Sequence, residues 1–335
     1  MQKHSNLVLA IGLILGAICV SQQARTSDAA NEPPSALQRT LTELAHRARP
    51  GTLGVAVSDL QSGHTWRVNA ERAFPMMSVF KAPLGATVLS QVDRGTLSLS
   101  QKVTIRRADL MTGGISQIAA TFRGHEETFT LGQLLEAAVS HSDNTAADVL
   151  LKLVGGPRAV TTFLRAHGIW NMRVDRGEDQ IAEEFQSEPA QRAEERNESP
   201  EQRDARLRRG YEAFLKDPRD RATPEAAVRF LKQLWQGELL SPASTRLLLA
   251  LLYNQRVPDR LRAGIPTEVR LADKCGTSYS IDGMTAAFND IGILTWPDGH
   301  TVIVAAFLTA SDAADGRMNA LFKSIARAVV TDLHP

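Results

Sequence analysis

Strand signals lie at both ends of this chain, and helix signals fill the long stretch between them. Five segments have the apolar patterns and flanking turn residues of strands: 53–59, 64–69, 269–274, 285–296 and 301–309. Helical patterns precede the first strand and follow the last one. We therefore predict an α+β fold of the α/β-sandwich type. It has a five-stranded antiparallel sheet built from both chain ends, flanking terminal helices and an inserted all-helical subdomain.

Length and composition indicate one domain with a sizeable core. The chain has 335 residues, of which 43% are hydrophobic. We predict one domain over residues 31–335, with a sheet subdomain at about 31–75 and 260–335 and a helical subdomain at about 76–259. Within the helical part, residues 182–219 form a mixed-charge run with few apolar positions. This run predicts a solvated helical or disordered insertion that projects from the fold or covers a site.

The first 30 residues are predicted to be a signal peptide and short leader. Lys3 gives a positive start, and residues 7–20 form an apolar run that is too short to span a bilayer but suits a secretory signal. The pattern leaves the cleavage site open. We expect a periplasmic or secreted protein without a membrane anchor after cleavage. Cleavage would leave Cys275 as the only cysteine, so we expect no internal disulfide.

Charge and histidine patterns argue against several classes of function. The formal net charge is +1, from 38 basic and 37 acidic residues, which gives no electrostatic footprint for nucleic acid. The eight histidines are scattered, and His125, followed by two glutamates, lacks a second histidine at zinc-binding spacing. We therefore expect no nucleic-acid partner, no metal and no cofactor.

Ser78 and Lys81 lie three residues apart, at a predicted helix start that follows the apolar residues 74–77. Residues at this spacing share a helix face, so the lysine amine can lie beside the serine oxygen. A lysine that its surroundings keep neutral can take the serine proton and create a nucleophile without histidine. This spacing alone occurs by chance about once in a chain of this length, so the interpretation depends on further residues.

Two further clusters offer the partners that this pair needs. Ser142 and Asn144 belong to a Ser-Asp-Asn sequence in a predicted loop between two helices, and they provide a hydroxyl and a carboxamide. Lys274 opens a Lys-Cys-Gly-Thr sequence at the end of a predicted strand, where Gly276 lets a ligand approach the backbone closely. The three clusters together provide two hydroxyls and two amines.

In this order the clusters resemble the Ser-x-x-Lys, Ser-Asp-Asn and Lys-Thr-Gly signature of the class A β-lactamases and their penicillin-binding relatives. The resemblance covers nearly the whole mature chain. It implies a β-lactamase/transpeptidase-like fold and an exported serine hydrolase that confers antibiotic resistance. The implied reaction opens the β-lactam ring of penicillins or cephalosporins through an acyl-serine intermediate. The implied partner is a small-molecule β-lactam, and the implied state is a monomer without a cofactor.

A carboxylate between the second and third clusters distinguishes class A from related branches. Glu178 follows Arg176 and Gly177 and lies 36 residues after Ser142, which is close to the family's spacing. Asp220 resembles the other end of the same loop. The resemblance implies that a salt bridge between Arg176 and Asp220 joins the two ends of the loop.

The resemblance also implies a role for each matched residue in forming the acyl-enzyme. Ser78 attacks the lactam carbonyl while Lys81, or Glu178 through a water, takes its proton. Backbone N–H groups of Ser78 and Thr277 form the oxyanion hole. Ser142 relays a proton to the leaving nitrogen.

The implied roles continue through substrate binding and release. Lys274 holds Ser142 and attracts the substrate carboxylate, and Asn144 orients Lys81 and the substrate's side-chain amide. Glu178 then activates the water that hydrolyses the ester, a general-base effect of about 10²–10⁴-fold.

Three features depart from the family pattern or bear on substrate binding. Cys275 replaces a threonine or serine between Lys274 and Gly276, and a thiol is a weaker donor to the substrate carboxylate. Ala182 replaces an asparagine that helps to hold the hydrolytic water, which predicts slow deacylation. Arg260 resembles the residue that supplies the carboxylate-binding arginine in some class A carbapenemases.

Two other functions stay open on the sequence alone. One is a β-lactamase-like serine hydrolase or D-alanyl-D-alanine peptidase that acts on peptidoglycan, although such peptidases lack the loop carboxylate. The other is a slow-deacylating penicillin-binding sensor, for which Ala182 and Cys275 are the motivation.

Overall fold

A computed structural model describes residues 35–111, 114–185 and 198–334. The predicted signal segment therefore lies outside the described residues, as does the 186–197 part of the mixed-charge run. Among the residues that are described, no helix combines the length and the apolar character needed to cross a membrane.

A five-stranded sheet forms the centre of the fold. Its strands are β1 (Thr52–Asp59), β2 (Thr65–Val68), β7 (Arg270–Thr277), β10 (Phe288–Thr295) and β11 (Thr301–Thr309). They lie in the order β2-β1-β11-β10-β7, and every pairing is antiparallel. The predicted sheet from both chain ends is confirmed.

Three further pairs of short strands lie outside this sheet: β3 (Phe74–Pro75) with β6 (Arg221–Ala222), β4 (Lys102–Arg106) with β5 (Glu126–Thr130), and β8 (Ser280–Ile281) with β9 (Met284–Thr285). The β3–β6 pair matters for the site, because it joins the approach to Ser78 to the segment that follows Asp220.

Helices cover both faces of the sheet and form most of the middle of the chain. They are α1 (Ala36–Arg47), α2 (Lys81–Asp93), α3 (Gln117–Thr121), α4 (Leu131–Val139), α5 (Asn144–Val154), α6 (Pro157–Ala166), α7 (Glu178–Phe185), α8 (Pro200–Lys216), α9 (Pro224–Trp235), α10 (Pro242–Tyr253) and α11 (Asp315–Leu333). Their starts follow the sequence signals: Ser35 caps α1, and Thr130 forms a capping box with Gln133 at α4.

The sheet divides the core into two layers. Along β1, Val55 and Val57 face the terminal helices, whereas Ala56 between them faces the helical subdomain, as the two-residue period of a strand requires. On the terminal-helix side, Phe322 of α11 packs edge-on against Phe288 of β10, with ring centroids 5.3 Å apart. Each such buried side chain contributes about 1.5–3 kcal/mol by leaving water.

The start of the helix at Ser78 differs in detail from its prediction. Met77–Phe80 form a 3₁₀ turn, and the α-helix begins only at Lys81. Side chains three residues apart also align in a 3₁₀ helix, so the expected proximity of Ser78 and Lys81 is preserved.

The mixed-charge run is helical over Pro200–Lys216, but the expectation of a solvated segment is wrong for one face of this helix. Arg206, Gly210, Tyr211 and Phe214 are buried. Two aromatic residues are enough to make this face apolar, because Tyr211 and Phe214 are three residues apart and point to the same side of the helix.

Candidate active site

The approach to Ser78 is held by contacts from the sheet. The Asn289 side-chain amide of β10 donates to the carbonyl oxygens of Pro75 (2.8 Å) and Met76 (3.1 Å). Met77 has a φ of +47°, a left-handed conformation that costs a non-glycine residue about 1–2 kcal/mol. The surrounding contacts therefore hold Ser78 on a tight turn.

Lys81 is completely buried and lies at the centre of a polar cluster. Its amine is 3.0 Å from the Ser78 hydroxyl, 2.6 Å from Asn144 Oδ1 and 2.8 Å from the Ser142 carbonyl oxygen. The Glu178 carboxylate is also 2.8 Å away. A buried amine with this set of acceptors, one of them a carboxylate, has its charge compensated within the site.

Ser142 lies between two lysines. It occupies the turn between α4 and α5 with a φ of +59°, and Asp143, which follows it, caps α5 by accepting from the Ala146 N–H. Its hydroxyl is 3.0 Å from the Lys274 amine and 3.4 Å from that of Lys81. The hydroxyl can therefore pass a proton between neighbouring groups.

The end of β7 forms the wall of the cleft opposite Ser78, and its backbone lies close to the backbone of Ser78. A Cβ atom on Gly276 would lie 2.3 Å from the Met76 carbonyl oxygen and 3.1 Å from the Ser78 nitrogen. Only glycine fits at this position. Cys275, its neighbour, is 6% exposed and its carbonyl oxygen accepts from the Lys274 amine at 3.1 Å.

Arg260 lies beneath the same wall. Its guanidinium donates to the Thr277 hydroxyl and to the carbonyl oxygens of Gly276 (3.1 Å) and Asn289. It also stacks on the Phe288 ring, 3.8 Å from the ring centroid. Arg260 is buried, with 5% of its surface exposed, and it contacts the Lys274–Thr277 segment at the Gly276 carbonyl oxygen and the Thr277 hydroxyl.

Glu178 begins α7 and reaches the nucleophile. The Ser78 hydroxyl donates to Glu178 Oε1 at 3.1 Å. Asp148 of α5 holds this first turn, because its carboxylate accepts from the backbone N–H groups of Glu178 (2.7 Å) and Asp179 (3.0 Å). Burial and the charge of Asp179 raise the pKa of Asp148 to about 7.

Sequence reasoning missed Asp148. A signal was present, since Asp148 lies four residues after Asn144, shares its face of the helix and is followed directly by three apolar residues. A charged residue at such a position points to a specific polar partner.

The expected pair at the loop ends, Arg176 and Asp220, is in contact and buried. Arg176 Nε lies 2.5 Å from Asp220 Oδ2, and the two side chains are 4% and 5% exposed. Asp220 Oδ1 also accepts from the backbone N–H groups of Asp175 (2.7 Å) and Arg176 (3.1 Å). Arg176 further contacts Asp217 at 3.0 Å and Glu184.

Ser78 and Glu178 open into a cavity of about 210 Å³. At its rim lie Ile115 and Tyr279, two exposed large hydrophobic side chains. A larger cavity of about 380 Å³, beside β1 and α9, is lined by none of the predicted site residues.

Burial also shifts the acid–base behaviour of the β7 wall. Burial lowers the pKa of Lys274. Cys275 opposes this shift, and the charge of Lys81 lowers the pKa further. Burial raises the pKa of Asp290 to about 6, against the effect of Arg260. Burial, together with Asp290, raises the pKa of Asp273 well above its ordinary range. The lowered pKa makes Lys274 a better proton donor than an ordinary lysine.

Comparisons with known proteins agree with this architecture. The model of the β-lactamase enzyme family matches residues 36–333. The extended-spectrum β-lactamase PER-1 of Pseudomonas aeruginosa is 32% identical over 280 residues, which cover 83% of this chain and 82% of the relative.

Solved structures give the same result. A β-lactamase from Chitinophaga pinensis has a TM-score of 0.77 at 30% identity, over 90% of this chain and 100% of that one. The last common ancestor of Gram-negative bacteria class A β-lactamase has a TM-score of 0.73 at 35% identity, over 90% and 100% of the two chains.

The sheet from both chain ends, the helical subdomain and the serine–lysine pair between them are those of a serine β-lactamase fold. The chain belongs to the β-lactamase enzyme family and, within it, to the class A serine enzymes. It hydrolyses β-lactams, an activity that confers antibiotic resistance.

Proposed function

We propose that this enzyme opens the lactam ring through an acyl ester on Ser78, which a Glu178-activated water then hydrolyses. One observation carries the proposal. The Ser78 hydroxyl donates to Glu178 Oε1 at 3.1 Å, and its oxygen accepts from the Lys81 amine at 3.0 Å. A nucleophile within hydrogen-bond reach of its base is the arrangement that covalent catalysis needs.

Acylation has two candidate bases in this arrangement. Glu178 accepts directly from Ser78 while the Lys81 amine lies beside both groups. If the carboxylate is removed, Lys81 is the candidate base that remains beside Ser78. Deacylation is proposed to have one base, Glu178, because its carboxylate lies 3.1 Å from the Ser78 hydroxyl and can activate a water there.

Ser142 is proposed to protonate the leaving lactam nitrogen. Its hydroxyl is within 3.4 Å of both lysine amines, so the proton taken from Ser78 can reach it through Lys81. The lowered pKa of Lys274 lets this residue share the transfer. Asn144 fixes the position of Lys81 through its side-chain oxygen.

The end of β7 is proposed to bind the substrate. Backbone N–H groups of Ser78 and Thr277 would stabilise the oxyanion, and one such donor is worth about 10²–10³-fold in rate. The absence of a side chain at Gly276 supports this, because it brings the two segments together. Lys274 and the Thr277 hydroxyl would bind the substrate carboxylate, with Arg260 behind them and Cys275 as a weak donor.

Export and a monomeric state are also proposed. The segment 1–30 has the pattern of a secretory signal, which supports a periplasmic or secreted enzyme.

The test is hydrolysis of a chromogenic cephalosporin by the mature protein. We expect turnover and a transient adduct on the wild type, and neither in Ser78→Ala, with an unchanged melting temperature in this variant. Turnover in Ser78→Ala would contradict the proposed nucleophile. A permanent adduct on the wild type without turnover would favour the sensor function instead.

A further inference from the structure

The helix that carries Glu178 presents an apolar face to the insertion helix α8. Ile181 and Phe185 lie three and seven residues after Glu178, so they share its side of α7, and each is 2% exposed. They belong to an apolar cluster whose buried members are Met77, Ile181, Phe185, Tyr211, Phe214, Ala286 and Ala287. We call this group the α7–α8 cluster.

Contacts from neighbouring elements determine the orientation of α7, because a helix of eight residues has little stability of its own. Asp148 fixes its first turn through two backbone N–H groups. Its last turn is fixed by packing, since the rings of Phe185 and Phe214 lie 4.2 Å apart at an angle of 36°. Between the two turns, Ala182 lines the cavity and provides no side-chain hydrogen bond.

The same cluster reaches the residue before the nucleophile. Met77 is 6% exposed, has a left-handed backbone and belongs to the cluster. The aromatic face of α8 is therefore part of one packed group with the helix of Glu178 and the turn of Ser78.

We propose that α8 is a positioning element for deacylation, in which Tyr211 and Phe214 hold α7 so that Glu178 stays aimed at the acyl-Ser78 carbonyl. This inference rests on the proposed role of Glu178. Deacylation is the sensitive step, because there Glu178 acts without Lys81 as an alternative base and without an amide at position 182. Acylation keeps Lys81 as a second base, because Lys81 begins α2 and also contacts Asn144 and the Ser142 carbonyl oxygen, neither of which lies on α7.

The proposal predicts a specific kinetic signature for loosening the cluster. Slower deacylation lengthens the life of the acyl-enzyme and leaves the rate of acyl-enzyme formation unchanged. A purely structural role for α8 would instead lower the amount of active enzyme, which reduces the burst amplitude without changing either rate constant.

The test is Phe214→Leu, which removes the ring but keeps an apolar side chain. We expect the acyl adduct, followed by intact mass after rapid removal of a cephalosporin, to decay about 10-fold more slowly. This loss is part of the 10²–10⁴-fold that a general base supplies. The acylation rate, measured from the burst, is expected to stay within about twofold.

Arg209→Ala is the matched control, because Arg209 lies on the exposed face of the same helix. It should leave both rates unchanged. Tyr211→Leu serves as the second variant if Phe214→Leu does not fold, and the same slow decay is expected.

Equal loss in both rates, or an unchanged decay rate in a folded variant, would overturn the proposal. Absence of both turnover and adduct on the wild type would instead contradict the proposed function.

Discussion

The two walls of the catalytic cleft are held in different ways. Lys81 and Lys274 are completely buried, on the long helix α2 and in the edge strand β7, so the core of the fold fixes them. Glu178 lies on an eight-residue helix that is positioned by side chains: Asp148 at its first turn, the buried Arg176–Asp220 pair before it, and the α7–α8 cluster at its end.

Because of this difference, acylation and deacylation are expected to respond differently to substitutions. The groups that form the acyl-enzyme depend on backbone elements that few single substitutions would move. The group that releases it depends on a small number of side-chain contacts. Substitutions in those contacts are therefore expected to affect stability and deacylation while leaving acylation in place.

A large effect on stability at a fixed pH is expected at the buried ion pair. Asp220→Asn keeps the size of the side chain, and asparagine tolerates the φ of +52° at this position. The substitution removes the charge that faces Arg176. We expect the free energy of unfolding to fall by about 2 kcal/mol, because Arg176 loses its most deeply buried carboxylate partner and keeps only Asp217 and Glu184. Urea denaturation at pH 7.5 measures the change.

Glu225→Gln is the matched control, since it breaks the exposed pair between Arg67 and Glu225, whose side chains are 48% and 46% exposed. It should cost at most about 1 kcal/mol. If Asp220→Asn cost no more than this control, the buried pair would not be what joins the loop ends.

A pH-dependent effect on stability is expected at Asp148. Its pKa in the folded protein is raised to about 7 from 3.8, so between these values the folded state holds a proton that the unfolded state lacks. Stability then decreases as the pH rises from about 4 to 7, by up to about 1.4 kcal/mol per pH unit for one group. Asp148→Asn removes this titration.

The measurement is the difference in unfolding free energy between wild type and Asp148→Asn, taken from pH 4 to 7.5. This difference isolates Asp148 from the other carboxylates. We expect it to shift in favour of the variant as the pH rises and to level off above pH 7. A difference that is constant with pH would show that Asp148 keeps one protonation state in this range.

Much of the fold and the core of the site could be predicted from the sequence, because their signals are local. Alternating strands at both ends specified the sheet, and the three motifs placed their residues at the cleft. The predicted contacts of Ser78 with Lys81 and of Arg176 with Asp220 are present in the structure.

The contacts that hold α7 could not be predicted, because they join residues far apart in the chain. Tyr211 and Phe214 lie in a run whose charges indicate solvent exposure, and only their packing against Phe185 shows otherwise. Arg260 was predicted to bind the substrate carboxylate, but its donors are directed to Thr277 and to backbone carbonyls. We therefore propose that Arg260 supports substrate binding indirectly, by holding the Thr277 hydroxyl.

The most direct test of the account is intact mass spectrometry of Glu178→Gln during reaction with a cephalosporin. The substituted amide would keep the shape of the side chain and lose the base, while Lys81 remains available for acylation. We predict that a stoichiometric adduct on Ser78 forms and persists, and that kcat falls at least about 100-fold. Turnover near the wild-type rate, or failure to form an adduct in a folded protein, would contradict Glu178 as the deacylation base.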